Sequence, residues 1–320
     1  MSLNNIIDKI LTEPELQEKP PILVDIGASE QIHNKWKKIA KYSVCLAFDA
    51  DERDFQFVEK EQDNFKKLLV YNSIASDKNI NKSDFHLTKS PYCSSVLEPD
   101  ISKLKPYIFS RLFKVEKKIE LNSIHLQKAL DDANLDYVDW FKTDSQGTDL
   151  RLFKSLKNGI RSKILVSEFE PGIIDAYKGE DKLYSVLEEL TKSGFWLSDI
   201  KIKGTPRFPV ETFETEFKGN ISRKFVKESL KKAPGWGEMT FINSFDNGEL
   251  GRREFLLGWL FSTLEEHHSF AFDLGSKGFE KFNYELFNRM KIYSKNQMKN
   301  QVYKLKFLPS VVEFIRKKIS

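Results

Sequence analysis

A chain of 320 residues with 40% hydrophobic content is long enough to bury one large core or two of ordinary size, so a globular protein is the starting expectation. Its 51 Lys and Arg face 47 Asp and Glu, and a net charge of +4 mixed through a chain that is 31% charged is too small and too dispersed to indicate a nucleic-acid partner. The two cysteines, Cys45 and Cys93, have no ligand-like spacing, which excludes a disulfide framework and a cysteine-based zinc site and suits a reducing compartment.

The opening segment MSLNNIIDKILTEPEL carries Asp8 and Glu13 and no apolar run of the secretory type, so a cytoplasmic protein is expected. Residues 1–20 read as a short helix ended by Pro20 and Pro21. ILVD (22–25) is then a continuous apolar run, as in a strand buried on both faces. Ile32, Trp36 and Ile39 predict a helix over 32–42, and SVCLAFD (43–49) a second strand. The alternation continues with a helix at 53–65, a strand at 67–76, a helix around 125–133, a strand at 137–144 and a helix at 149–159 with Gly159 as its C-cap. A strand at 163–170, a helix at 182–194 and a strand at 195–203 complete the series. Strands alternating with helices predict an α/β fold with a doubly wound, mostly parallel sheet.

Two regions depart from this pattern. Residues 77–121, rich in Ser, Pro and Tyr, are long for a connection and predict short strands or an acceptor-facing insertion. EMTFIN (238–243) reads as one more strand, and Phe255, Leu256, Trp259, Leu260 and Leu264 mark an amphipathic helix that opens a helical extension over 246–320. Its apolar face serves either to cover the domain or to join a second subunit, which leaves an oligomer through the C-terminal helices open. The longest apolar run, FLLGWLF (255–261), is too short to span a membrane.

In open parallel sheets, ligands bind at the carboxyl ends of the strands near the switch point. DIGAS (25–29) puts Asp25 and Gly27 there, and FDAD (48–51) puts Asp49 at the next strand tip, near the spacing at which such folds bind ribose hydroxyls. The plainer alternative is that Gly27 ends a strand and Asp49 caps a helix. A nicotinamide dinucleotide needs G-x-G-x-x-G, whereas the chain has G-A-S-E-Q-I, so a nucleoside with a zwitterionic tail and no phosphates suits it better. Asp25 would then meet the ammonium and Asp49 the ribose diol. In VDWFKTDSQG (138–147), Val138, Trp140, Lys142 and Asp144 share one strand face, and the lysine is expected to pair with Asp144 or Glu168. A purely structural ion pair is the alternative. SEFE (167–170) sets Glu168 and Glu170 on one face of the following strand.

ILVDIGAS, LAFDADER, NSIASD, SSVLEPD and VDWFKTDSQGTDLRLFKSL resemble, in order and spacing over about residues 20–203, the motifs of the FkbM family of S-adenosylmethionine-dependent methyltransferases. K-T-D-S-Q-G-T-D is similar to that family's K-[IT]-D-x-[EQ]-G-x-[ED] signature. The resemblance implies a Rossmann-like class I methyltransferase domain over 21–245, with a seven-stranded sheet whose last strand is antiparallel. It further implies that Asp25, Gly27, Ala28 and Ser29 line the methionine portion of S-adenosylmethionine. Asp49 would hold the ribose with Asp51 nearby, Ser73 to Ala75 would lie by the adenine, and Asp144 would lie beside the methyl group. Where the family commonly has a second glycine in the first motif, this chain has Glu30 and Gln31.

The function expected from these features is transfer of a methyl group to a hydroxyl of a small molecule, with a saccharide or glycan precursor as acceptor. Asp144, Lys142 or His86 would serve as general base. His125 is expected to be structural, and EEHH (265–268) offers at most two ligands on one helix face, so no metal is assigned. The alternatives are a non-catalytic binding or scaffold protein with a degenerate cofactor site, and a nicotinamide-dependent oxidoreductase.

Overall fold

The computed structural model describes residues 2–28, 34–50, 64–246 and 250–319. The chain forms two compact units, one from Pro21–Asp246 and one from Met1–Pro20 together with Asn247–Ser320. In chain order the strands are β1 (Ile22–Ile26), β2 (Val44–Phe48), β3 (Lys67–Tyr71), β4 (Ile74–Ser76), β5 (Lys82–Thr88), β6 (Val115–His125), β7 (Trp140–Thr143), β8 (Val166–Phe169), β9 (Phe195–Pro206) and β10 (Lys232–Asn243).

Seven strands form one sheet in the order β3-β2-β1-β7-β8-β10-β9. The pairs from β3 through to β8 are parallel, and β10 runs antiparallel to both of its neighbours. The order reverses between β1 and β7, and this is the switch point. All five residues of β1 and of β2 are buried and, apart from Asp25, apolar, the pattern of strands covered on both faces. The helix at Leu126–Asp132 buries Leu126, Ala129 and Leu130, and that at Leu183–Lys192 buries Val186 and Leu190, at helical spacing. Between them, the Phe153 ring lies 5.7 Å from Phe141, 5.6 Å from Phe169 and 6.3 Å from Phe195, mostly edge-on.

Several boundaries differ from the sequence pattern. The run 67–76 is two strands: after the break at Asn72 and Ser73, β4 leaves the main sheet and pairs with β6 in a second sheet of order β4-β6-β5. That sheet accounts for much of the 77–121 insertion. The helix expected over 149–159 ends at Ser155, because Leu156 turns extended and buries its side chain, and a second turn follows at Asn158–Arg161. Gly159 therefore lies inside a helix and caps nothing. The described part of 32–42 forms 3-10 turns, and the helix expected at 53–65 falls almost wholly outside the described residues. β10 begins six residues before EMTFIN and forms a long antiparallel ribbon with β9, with an irregularity between Pro234 and Trp236.

The other unit is helical. The segment 1–20 forms two helices, Leu3–Leu11 and Pro14–Glu18, which group with the helices Arg252–Leu264, His268–Phe282 and Glu285–Ile319 and do not stand alone. Glu15 pairs with Arg252 at 2.9 Å, and buried Trp259 Nε1 donates to Ser294 Oγ at 2.9 Å. The helix Arg252–Leu264 is buried almost all round, so it is not the one-faced amphipathic helix of the sequence pattern and offers no exposed apolar stripe to a second subunit. Among the described residues no helix is long and apolar enough to cross a membrane.

Phe153→Ala empties the centre of the aromatic cluster and is expected to lower the unfolding free energy by ~3–5 kcal/mol, measured by urea denaturation.

Candidate active site

The site grows from the tips of β1, β2 and β7. Asp144 N donates to Ile26 O at 2.9 Å, and Gly27 N donates to Phe48 O at 3.0 Å, which ties the three strand ends together. Gly27 has φ +84°, and a Cβ there would collide with Asp144 O. The space that glycine leaves is taken by the Asp144 backbone.

Asp25, Lys142 and Glu168 lie side by side across β1, β7 and β8. Lys142 Nζ pairs with the fully buried Asp25 Oδ1 at 2.7 Å, whereas Glu168 accepts a 2.7 Å bond from Trp140 Nε1. The contact partner of Lys142 is thus Asp25, neither Asp144 nor Glu168: the register sets an acid on either side of it, and Glu168 is engaged by Trp140 while Asp25 takes the lysine. Burial works against the ammonium, but the adjacent charges of Asp25, Asp144 and Glu168 outweigh it and hold Lys142 charged well above the ordinary lysine range. Lys142 has no free lone pair with which to act as a general base. Asp25, spent on Lys142, does not line the cleft and is not placed to meet a ligand ammonium.

The turn after β7 is built on a second buried carboxylate. Asp149 accepts bonds from Thr143 Oγ1 (3.0 Å), Ser145 N (2.9 Å), Ser145 Oγ (2.5 Å) and, from the end of β8, Glu170 N (3.0 Å). This anchor lets Gln146 adopt φ 56° and Gly147 φ 108°, the left-handed pair that reverses the chain. Gln146 Nε2 then donates to Asp144 Oδ1 at 2.5 Å, its Oε1 lies 3.0 Å from the Tyr177 hydroxyl, and its carbonyl accepts from Ser95 Oγ at 2.7 Å.

Two cavities meet here. A cleft of about 120 Å³ is lined by Gly27, Phe48, Asp49, Ser73, Ile74, Ala75, Phe85 and the Asp144–Gln146 turn, with no cationic side chain among the described lining residues. A second cavity of about 330 Å³ is mainly aromatic, with Phe109, Phe113, Tyr177 and Trp236 in its walls and Glu170 and Glu180 beside them. Tyr92, Asp144 and Gln146 line both.

Asp144 and Glu170 hold protons more tightly than ordinary carboxyls. Burial, then the charge of Asp149, raises Asp144 to about 6 against the pull of Lys142 and Gln146. Burial, then the charges of Asp144 and Glu238, pushes Glu170 up to about 9. Glu170 is therefore a hydrogen-bond donor at neutral pH, while Asp144 is mostly an acceptor.

Of the residues singled out in the sequence, Gly27, Asp49, Ser73, Ala75 and Asp144 come together in the cleft wall. Ala28 is buried and does not line it, and Ser29, Asp51, Glu30 and Gln31 lie outside the described residues. His86 does not line either cavity: it sits on strand β5, whose alternation turns its neighbour Phe85 to the cleft instead. Asp149 is the last acid of the K-T-D-S-Q-G-T-D stretch, to which the sequence assigns no role of its own. Tyr177 and Trp236 are not marked in the sequence, because they lie in irregular backbone and at a strand irregularity that no periodicity reveals. Among the described residues no group of three or more His, Cys, Asp and Glu side chains is disposed to hold a metal ion. Compared with models of known protein families the chain matches none, and a search of curated proteins finds no match.

Because Asp144 and Glu170 have raised values in the folded chain, they favour the folded state fully below the ordinary carboxylate range, and that stability is lost as pH rises through about 6 and about 9. Glu170→Gln should flatten the decline between pH 6 and 9 and make the protein more stable than wild type at pH 9 by ~1 kcal/mol or more, read by denaturant titration at both pH values. Gly27→Ala, which strains the backbone and displaces Asp144, should cost ~1–3 kcal/mol by the same assay.

Proposed function

We propose that the chain is an S-adenosylmethionine-dependent O-methyltransferase whose cofactor occupies the smaller cleft and whose acceptor occupies the aromatic cavity. The observation that carries this reading is that one carboxylate, Asp144, lies at the junction of the two cavities. The cleft also fits the cofactor chemically. It presents Asp49 as an acceptor for ribose hydroxyls, apolar surface from Phe48, Ile74, Ala75 and Phe85 for a purine, and carboxylate charge towards a cationic sulfonium and ammonium. A ligand with phosphates would meet Asp49 and Asp144 with no cation among the described lining residues, which disfavours the nicotinamide alternative.

When bound, S-adenosylmethionine supplies an electrophilic methyl: an oxygen lone pair forms the new O–CH₃ bond as the S–CH₃ bond breaks, its electron pair stays on sulfur, and the hydroxyl proton leaves. The protein's tasks are to hold the hydroxyl oxygen in line and to accept that proton. Asp144, ionised above about 6 and oriented by Gln146, is suited to the second task. Lys142 and Asp25 act one layer behind it, fixing the strand ends.

Calorimetric titration with S-adenosylhomocysteine tests the reading directly. Micromolar binding is expected, weakened at least about tenfold by Asp49→Ala through lost hydrogen bonds. Asp144→Asn should leave that affinity within a few-fold while lowering the methyl-transfer rate by ~10²–10⁴. Absence of binding to the wild-type chain overturns the reading.

A further inference from the structure

The aromatic cavity has a more specific chemistry than a general hydroxyl site. Its charged lining groups are all carboxyls, Asp144, Glu170 and Glu180, and no cationic side chain lines it among the described residues. The nearby Lys182 is fully occupied by Glu180 (2.8 Å), Asp175 (2.9 Å) and Ile174 O (2.5 Å). An anionic acceptor would meet the charge of Asp144 with no cationic side chain among the described lining residues to receive it.

The walls are flat and apolar. Phe109 and Trp236 lie nearly parallel, 6° apart with ring centroids separated by 6.5 Å, and Phe109 meets Phe113 edge-on at 5.0 Å. Phe113 in turn meets Tyr177 edge-on at 5.6 Å. Most polar groups that could serve several acceptor hydroxyls are already committed. The Tyr177 hydroxyl lies 2.9 Å from Cys93 O and 3.0 Å from Gln146, Gln146 Nε2 donates to Asp144, and Glu180 accepts from Ala176 N and Lys182. Asp144 and Glu170 remain, with the hydroxyls of Ser90 and Tyr92 also in the lining. A saccharide buried here would carry most of its hydroxyls to these few groups, and each unpaired one would cost ~1–3 kcal/mol.

We propose that this cavity is the acceptor subsite for a small, uncharged phenol, with the ring against Phe109 and Trp236 and the hydroxyl on Asp144; the proposal rests on the methyltransferase reading. A second polar substituent on the ring, accepting from Glu170, is compatible with the same pose. The cavity, about 330 Å³, is the larger of the two and lies at the small end of ligand cavities. Proton transfer agrees. A base at about 6 lies far closer to a phenol near 10 than to an aliphatic hydroxyl, whose acidity is nearer that of water at about 15.7. The saccharide acceptor expected from the sequence is therefore replaced by an aromatic one in this proposal.

The test is calorimetric titration of the full chain, with and without S-adenosylhomocysteine, using 4-propylphenol, 4-hydroxybenzoate and methyl β-glucopyranoside as probes. The phenol should bind at least about tenfold tighter than either rival, and with S-adenosylmethionine it should yield its methyl ether. Trp236→Ala, or Phe109→Leu should the first variant fail to fold, should weaken phenol binding at least about tenfold and leave S-adenosylhomocysteine affinity unchanged. Equal or tighter binding of the benzoate or the glucoside, no phenol binding up to its solubility, or phenol affinity indifferent to both variants would overturn the proposal. If S-adenosylhomocysteine binds and the phenol does not, only the acceptor class falls. If S-adenosylhomocysteine does not bind, the methyltransferase reading falls and takes the acceptor role with it, whatever the phenol does.

Discussion

The complete burial of Asp25 at the end of β1 is the constraint on which the site depends. A carboxylate with no access to water needs a counter-charge within contact distance, and removing that partner from such a pair costs ~3–5 kcal/mol. Lys142 is that partner because β7 adds to β1 in parallel with the two residues side by side. Once the pair forms, the ends of β1 and β7 cannot slide past each other by a residue. The same register sets Gly27 against the Asp144 backbone and delivers the Asp144 side chain to the junction of the two cavities. An interaction internal to the sheet thereby positions a group at its edge.

Lys142 balances only part of the negative charge around it. Asp25, Asp144 and Glu168 all act on the lysine, while Asp149 stands close enough to raise both Asp144 and Glu170. With the contact of Lys142 given to Asp25, the remaining acids relieve their repulsion in two ways. Asp149 does so with four hydrogen bonds, three from Thr143 and Ser145 and one from Glu170 N, which oppose the upward push of burial, while Glu170, with less compensation, holds a proton. The difference is functional in consequence. Asp149 becomes a fixed scaffold, Asp144 an acceptor that titrates near neutrality, and Glu170 a donor. Three carboxyls within one turn and its neighbouring strand thus take three roles according to burial and partners alone.

Much of this frame was legible in the sequence because burial on both sheet faces writes itself as apolar runs. ILVD and SVCLAF became β1 and β2, and the charged ending of WFKTD marked the strand tip at the switch point. What escaped has physical causes. A strand that changes sheets at Asn72 keeps its apolar residues, so 67–76 read as one element. Pairing across strands depends on register, which a single strand does not encode, so the sequence points Lys142 to Asp144 or Glu168, on its own and the next strand, whereas its partner sits on β1. His86 differs from expectation because a strand's two faces cannot be told apart without knowing which one the cleft uses. The helix at 252–264 looked one-faced only because its other apolar residues, among them Leu257 and Phe261, fell outside the stripe, and in the structure nearly the whole helix is buried.

The aromatic cavity was the least legible part, and this follows from how it is built. Its walls come from the 3-10 turns of the insertion, the irregular segment after β8 and the irregularity at Pro234–Trp236 in β10, none of which has a period. The strand tips that form the smaller cleft are products of the sheet and are set by the fold. The aromatic walls are additions to it, free to vary without disturbing Asp25, Lys142 or Asp149. Trp236 illustrates the separation. The register shift beside Pro234 gives β10 an extra residue that need not pair in the ladder, and the ring lies against Phe109 in the cavity while the ribbon with β9 continues on either side. The aromatic walls thereby sit where the backbone departs from regularity, and Asp144 where the backbone is most tightly held.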